Sequence, residues 1–299
     1  MALSIKVGTY TGTGSALSVT GVGFQPTVLL IKGGANIAQI ATANQGSDKM
    51  QDITGATPAT GRLTSFDADG FTLGTNAKVN TNGTVYHYVA FLDADATEMD
   101  RGTYAGTGSA QNITTAFQPD AVWIFDDLGD TGGWRTSTMA TDSYSPYGAG
   151  AFLTDRILSL GATNFRVSFR NEVNGTGRNY YWVAFKTTTN KVKPLSYTGN
   201  GSDDRAITGV GFQPDFTMVK DAAANAMAVR FSTETGDNSY LMTASGEAAN
   251  IIQSQDADGF TVGTAANVNT NTNTYHSLSF KSTSTTTATP NKLTLLGVG

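Results

Sequence analysis

Histidine is the side chain best suited to acid–base catalysis near neutral pH, and this chain has only two, His87 and His276. Each stands four residues before a phenylalanine, Phe91 or Phe280, in closely similar surroundings. A third segment of the same kind carries Tyr181 at the corresponding position. Because tyrosine can replace the histidine, the pattern favours packing residues on a strand over a catalytic base or a metal ligand.

No motif for covalent, nucleotide or zinc chemistry accompanies these histidines. The chain lacks the Gly-x-Ser-x-Gly of many hydrolases, the glycine-rich phosphate-binding fingerprints and His-Glu-x-x-His. A glycan-degrading enzyme would need a pair of carboxylates. The aspartates of the middle third that could serve in this role follow no pairing pattern; they are Asp126, Asp127, Asp130 and Asp142. The sequence therefore predicts a protein that is not an enzyme and has no cofactor.

Two Asp-x-Asp-Gly segments are weak candidates for a calcium site, because many calcium loops begin in this way. Their carboxylates belong to Asp67, Asp69, Asp256 and Asp258. An EF-hand loop needs a glutamate at position twelve, where this chain has Lys78 or Asn267. We therefore predict hairpin turns, in which aspartate accepts backbone N–H bonds and glycine takes a positive φ, and no metal.

The aromatic residues of the middle third raise the possibility of glycan binding by ring stacking. The candidate binding residues are Trp134, Tyr181 and Trp182. Tyr88 and Ser277 stand where this segment has Trp182, and tolerance of a polar residue predicts an exposed position. The alternative, which we favour, is that the aromatics pack in the core or against neighbouring domains, with the middle domain buried between the other two.

These residues recur because the chain is a threefold repeat with a period of about 95 residues. Three anchors return in the same order in every copy. They are Tyr-x-Gly-x-Gly from Tyr10, Tyr104 and Tyr197, Phe-Gln-Pro from Phe24, Phe117 and Phe212, and a closing segment that ends at Phe91, Phe185 and Phe280. The period is longer than that of solenoids or propeller blades, so each copy is predicted to have its own core.

Short, evenly spaced strand signals in each copy predict an all-β fold of three tandem β-sandwich domains, jelly-roll-like or immunoglobulin-like. The apolar run at residues 28–31 does not alternate, which indicates a strand buried on both faces. The predicted domains are 1–97, 98–192 and 193–282, followed by a linker and arm at 283–299. The linkers are short, so the domains should pack closely, and three similar copies could imitate a trimer.

Composition excludes several classes of partner and chemistry. The net charge is −5 and basic residues are not clustered, which argues against nucleic acid as a partner. Cysteine is absent, so disulfides and thiolate sites are excluded. Neither a signal peptide nor an apolar run of membrane-spanning length is evident, and no membrane insertion is predicted.

The C-terminal residues differ from the repeats. Residues 282–290 are almost all Thr, Ser and Ala, and a short apolar stretch follows, with Leu293, Leu295, Leu296 and Val298. This pattern favours an assembly arm that adds a strand to a neighbouring subunit. A frayed tail, or a last strand that folds back on the third repeat, is the alternative.

The best-preserved motifs of the third copy lie at residues 197–215, 230–233, 256–264 and 275–280. They resemble repeats in tailed-bacteriophage virion proteins of the head-decoration, tail-fibre and appendage types. The resemblance implies a structural virion protein, made in the host cytoplasm and extracellular in the mature particle, with other capsid or tail subunits as partners and a homo-oligomeric state. The alternative is a glycan-binding adhesin that recognises a cell-surface receptor through the aromatics of the middle copy.

Overall fold

A computed structural model describes residues 2–283, and its regular secondary structure is almost entirely antiparallel β-strand. This confirms the predicted all-β, sandwich-type fold. The predicted arm residues Leu293, Leu295, Leu296 and Val298 lie outside the described residues. Within residues 2–283, no helix is long and apolar enough to cross a membrane.

The first repeat pairs a five-stranded sheet with a three-stranded sheet. The larger sheet has the order β1-β8-β3-β4-β5 and the smaller the order β2-β7-β6. The strands are β1 (Ser4–Thr11), β2 (Leu17–Thr20), β3 (Val28–Gly33), β4 (Gln39–Thr42), β5 (Gln51–Asp52), β6 (Leu63–Asp67), β7 (Gly70–Leu73) and β8 (Val85–Leu92). A 3-10 turn at Ala43–Gln45 follows β4, and the short helix α1 (Ala77–Asn80) precedes β8.

The other two repeats reproduce this wiring, and the middle repeat adds one short strand at the edge of its larger sheet. The middle repeat contains β9 (Met99–Ala105), β10 (Gln111–Thr114), β11 (Ala121–Asp126), β12 (Gly133–Thr136), β13 (Ser143–Pro146), β14 (Leu153–Thr154), β15 (Ile157–Gly161), β16 (Asn164–Val167), α2 (Asn171–Asn174) and β17 (Asn179–Phe185). The third contains β18 (Val192–Thr198), β19 (Arg205–Thr208), β20 (Phe216–Asp221), β21 (Ala228–Phe231), β22 (Tyr240–Leu241), β23 (Ile252–Asp256), β24 (Gly259–Val262), α3 (Ala266–Asn269) and β25 (Thr274–Phe280).

The central strands β3, β11 and β20 are buried at all six positions, as the unbroken apolar run in the first repeat predicts. One face of each strand packs on the smaller sheet of its own repeat, so that each repeat has its own apolar cluster. The opposite face packs in a fourth apolar cluster, which contains residues of all three repeats. The repeats therefore share a common core in addition to their separate ones.

Three equivalent phenylalanines lie together at the centre of the shared cluster. The ring centroids of Phe91 and Phe185 are 5.4 Å apart, those of Phe91 and Phe280 5.1 Å, and those of Phe185 and Phe280 5.0 Å. Trp123 packs edge-on against Phe185 at 4.9 Å. Because the three rings come from the same position of each repeat, the larger sheets face one another around a pseudo-threefold axis.

Backbone hydrogen bonds link the repeats in a second layer. The Ala38 N–H donates to the Met242 carbonyl at 3.0 Å, and the Met227 N–H donates to the Tyr147 carbonyl at 3.2 Å. At the third junction the backbone of the middle repeat at Gly132 passes close to that of the first repeat at Ile53. A Cβ added to Gly132 would lie 2.7 Å from the Ile53 carbonyl oxygen. The loop that follows β5, β13 or β22 therefore reaches the neighbouring repeat in every case.

The end of the third repeat closes the arrangement on the first. The Thr283 N–H donates to the Ile5 carbonyl at 2.9 Å. The equivalent bond at the linker between the middle and third repeats runs from the Thr188 N–H to the Val192 carbonyl, at 3.0 Å. The Val7 N–H donates to Ser282 Oγ at 3.1 Å. The segment that leaves the third repeat thus occupies the position of a linker that enters the first.

Replacing Phe185 by alanine is expected to lower the free energy of unfolding by about 3–5 kcal/mol, because it removes one ring from the fully buried shared cluster. Urea denaturation followed by far-UV circular dichroism measures the change. We expect one cooperative transition for the wild type and the variant. Val85→Ala serves as the control, since Val85 is 49 % exposed, and its effect should stay within about 0.5 kcal/mol. Separate transitions for the three repeats would contradict a shared core.

Candidate functional site

The Asp-x-Asp-Gly segments form hairpin turns whose carboxylates bind the chain itself. Asp69 accepts the N–H groups of Gly21 at 3.1 Å and Gly23 at 2.5 Å, and Asp258 repeats this arrangement in the third repeat. Asp67 accepts hydroxyl bonds from Ser65 and Thr72, both at 2.6 Å. Glycines 70 and 259 have φ values of 145° and 148°, which a side chain would not tolerate. Asp69 and Asp258 thus tie the loop after the second strand of their repeat to the hairpin, and Asp67 braces the hairpin itself.

The remaining weak calcium candidate, Asp256, accepts hydroxyl bonds from Ser254 and Thr261 in the same way as Asp67. Across residues 2–283, no three side chains of histidine, aspartate or glutamate are grouped so that they could hold a metal ion.

Two of the three aromatic residues that were candidates for glycan stacking are buried, and the third is partly buried. Trp134 is fully buried in the shared cluster, and Tyr181 packs against the same cluster. The prediction that Trp182 is exposed is wrong, because its side chain is buried and its ring lies edge-on to Phe165 at 5.4 Å. Trp134 and Trp182 therefore offer no stacking surface to a sugar, and Tyr181 is only partly exposed.

The position of Trp182 was misread because Ser277, its counterpart, is also buried. Trp182 pairs across the sheet with Gly102, and a Cβ at Gly102 would lie 2.8 Å from the indole ring. In the third repeat Ser277 pairs with Leu195. In the third repeat the large side chain of the pair is Leu195, on the neighbouring strand, and Ser277 is the small one. A polar residue at this position therefore does not indicate exposure.

Both histidines lie in the contacts between repeats, which we call seams. In the seam between the first and third repeats, His87 Nδ1 is 2.8 Å from Thr233 Oγ1. In the seam between the middle and third repeats, His276 Nδ1 is 2.9 Å from Thr138 Oγ1. Burial lowers the pKa of His87 and lowers that of His276 to about 4. Both geometry and protonation therefore fit neutral packing residues with one hydroxyl partner each.

Two buried lysines form hydrogen bonds across the same seams, and sequence reasoning missed them. The Lys32 ammonium donates to the carbonyls of Thr243 at 3.0 Å and Ser245 at 2.8 Å, which belong to the third repeat. The Lys220 ammonium donates to the Gly150 carbonyl of the middle repeat at 2.8 Å. Burial lowers the pKa of each lysine to about 8. The signal in the sequence is a lysine at the same place in two central strands that are buried along their whole length.

The seam between the first and third repeats also holds acidic groups. Burial raises the pKa of Glu234 to about 8, and its carboxyl accepts the Phe231 N–H at 2.8 Å. Glu247 Oε1 lies 3.6 Å from His87 Nε2. In the middle repeat Phe125 stands where the other two have Lys32 and Lys220. The seams thus use equivalent positions with different chemistry, which distinguishes one pairing of repeats from another.

The middle repeat carries an open groove of about 500 Å³ that sequence reasoning did not find. Its walls include Asp130, Arg156 and Glu172, and Phe169 at its edge is 50 % exposed. Arg156 Nη2 donates to Glu172 Oε1 at 2.7 Å. Asp130 and Asp126, two of the aspartates considered for a carboxylate pair, both bind the Arg178 guanidinium, at 2.7 and 2.5 Å. The groove combines an aromatic surface with balanced, oriented polar groups.

A family model described as a domain of unknown function (DUF7483) matches residues 4–99 and 187–294, together about two-thirds of the chain. The chain belongs to this family. The two DUF7483 matches fall on the first and third repeats, so the groove and all three tryptophans lie in the unmatched middle repeat. No curated protein matches the chain significantly.

The low pKa of His276 predicts loss of stability in mild acid. Its pKa falls from an ordinary 6.5 to about 4 on folding. Below pH 6.5 the unfolded chain binds a proton that the folded chain does not, so the stability from neutral His276 is full above pH 6.5 and lost as the pH falls towards 4. At about 1.4 kcal/mol per pKa unit, the loss is about 3 kcal/mol. Urea denaturation at each pH gives the free energy of unfolding of His276→Gln and of the wild type. The difference, variant minus wild type, should rise by about 3 kcal/mol between pH 7 and pH 4.

The matched variant is His87→Gln. The negative charge of Glu247 opposes the lowering of the His87 pKa by burial, so its pH-dependent difference should be smaller. A difference between His276→Gln and wild type that does not change with pH would contradict the assignment.

Proposed function

We propose that this chain is a non-enzymatic structural protein of a virion, either a capsid decoration protein or an appendage and tail-fibre subunit. The observation that carries the proposal is the contact of Phe91, Phe185 and Phe280 around a pseudo-threefold axis. One chain thereby forms a body with near-threefold symmetry, which suits a threefold position in a larger particle.

The placement of the titratable side chains supports a non-enzymatic role. The histidines lie between repeats with threonine partners, and the turn aspartates bind backbone N–H groups and nearby hydroxyls. Each group therefore has a structural task that accounts for its presence. The repeated motifs from which the resemblance to virion proteins arises are likewise turn and core residues.

The adhesin alternative has no support at Trp134, Tyr181 and Trp182, because Trp134 and Trp182 are buried and Tyr181 packs against the shared core. Attachment through the C-terminal segment remains part of the proposal. Its apolar residues lie beyond Thr283, where the described chain leaves the third repeat along β1.

Electron microscopy with gold-labelled antibodies against the purified chain tests the virion assignment. Particles isolated from the source culture should carry label on the head or the tail. Particles without label, from cultures whose lysate contains the chain, would overturn the proposal.

Simultaneous replacement of Leu293, Leu295, Leu296 and Val298 by serine tests the assembly arm. A tagged wild-type copy should enter particles during their production, and the serine variant should be reduced at least tenfold, because the apolar surface that would bind the neighbour is lost. Immunoblots of purified particles give the ratio. Thermal unfolding of the two purified proteins should agree within a few degrees, and equal incorporation would exclude the arm.

A further inference from the structure

The groove of the middle repeat exists because one residue differs from its counterparts. In the first repeat Asn36 Nδ2 donates to the Ala77 carbonyl at 3.2 Å, and in the third Asn225 Nδ2 donates to the Ala266 carbonyl at 3.1 Å. Each bond joins the turn after the central strand to the short helix. The middle repeat has Asp130 at this position, and a carboxylate cannot donate to the helix carbonyl. Asp130 pairs instead with the Arg178 guanidinium, and the turn and the helix flank an open groove.

A second difference places an aromatic ring at the edge of this groove. Phe169 stands where the other repeats have Thr75 and Thr264, and half of its side chain is exposed. The guanidinium of Arg170 lies 4.6 Å from the ring centroid, and its Nη2 is held by Asp155 at 3.0 Å. Arg170 lies over one face of the ring, and the exposed part of Phe169 is the aromatic surface that the groove presents to a ligand.

The polar walls indicate what kind of ligand fits. Arg156 and Arg170 contribute two positive charges, and Asp130 and Glu172 contribute two negative charges, so the lining is neutral overall. A polyanion would meet two carboxylates and is disfavoured. Guanidinium and carboxylate groups held in fixed pairs present planar donors and acceptors next to an aromatic face, which suits adjacent hydroxyl groups on a ring. The volume of about 500 Å³ lies in the usual range for small-ligand sites.

We propose that the groove between Asp130, Arg156, Phe169 and Glu172 binds an uncharged oligosaccharide, with one sugar ring stacked on Phe169 and its hydroxyls bonded to the paired charged groups. The site belongs to the middle repeat alone. It involves none of the buried aromatics, and it does not depend on the assignment to a virion.

An array of neutral oligosaccharides built from hexoses and N-acetylhexosamines, printed beside sialylated and sulfated counterparts, tests the proposal with the full-length chain. At least one neutral glycan should bind, and titration calorimetry with that glycan gives the affinity. Phe169→Ala should weaken binding at least tenfold through loss of the stacking face. Asp130→Asn should do the same, because asparagine can donate to the helix carbonyl and close the groove as Asn36 and Asn225 do.

Val85→Ala is the matched control, since it removes another half-exposed apolar side chain, in the first repeat, and it should leave affinity unchanged. Thermal unfolding of all three variants should match the wild type, because the replaced side chains are partly exposed. Binding of sulfated or sialylated glycans alone, binding that neither Phe169→Ala nor Asp130→Asn weakens, or no binding to any neutral glycan would overturn the proposal.

Discussion

The structure depends on one constraint: the central strand of each larger sheet is apolar on both faces, and both faces must be covered. The smaller sheet of the same repeat covers one face. The opposite face is covered only when the three larger sheets meet around Phe91, Phe185 and Phe280. Burial of this face links the stability of every repeat to the other two. The seams, the loops that reach a neighbouring repeat and the short linkers all hold the three larger sheets against one another.

Much of the fold could be read from the sequence, because its signals are local. The period, the turns at Asp69 and Asp258 and the doubly buried strand at Val28–Gly33 all follow from residue type and spacing. The face-to-face packing was less accessible, since a repeat pattern does not specify what lies opposite a buried face. The burial of Trp182 was misjudged for the same reason, because it depends on Gly102 in a strand 80 residues earlier in the sequence.

The seams show how a repeated sequence assigns distinct neighbours to its copies. Two seams contain a lysine, Lys32 or Lys220, bonded to carbonyls across the contact, and Phe125 replaces the lysine in the middle repeat. A buried ammonium without its carbonyls would be costly, so exchange of partners between repeats is penalised. Sequence reasoning could not locate this feature or the groove beside Phe169, because both arise from differences between copies at positions that meet only in three dimensions.

The hydrogen bond from the Thr283 N–H to the Ile5 carbonyl repeats the contact between Thr188 and Val192, so the described chain closes a ring of three repeats around the axis. Each repeat would therefore keep the same two neighbours if the chain began at a different repeat. Circular permutants that start at either linker would preserve every strand pairing. Three separate copies of one repeat would meet in the same way in a homotrimer. Because the three copies belong to one chain, each can differ from the others, and the groove of the middle repeat occurs once where a homotrimer would carry it three times.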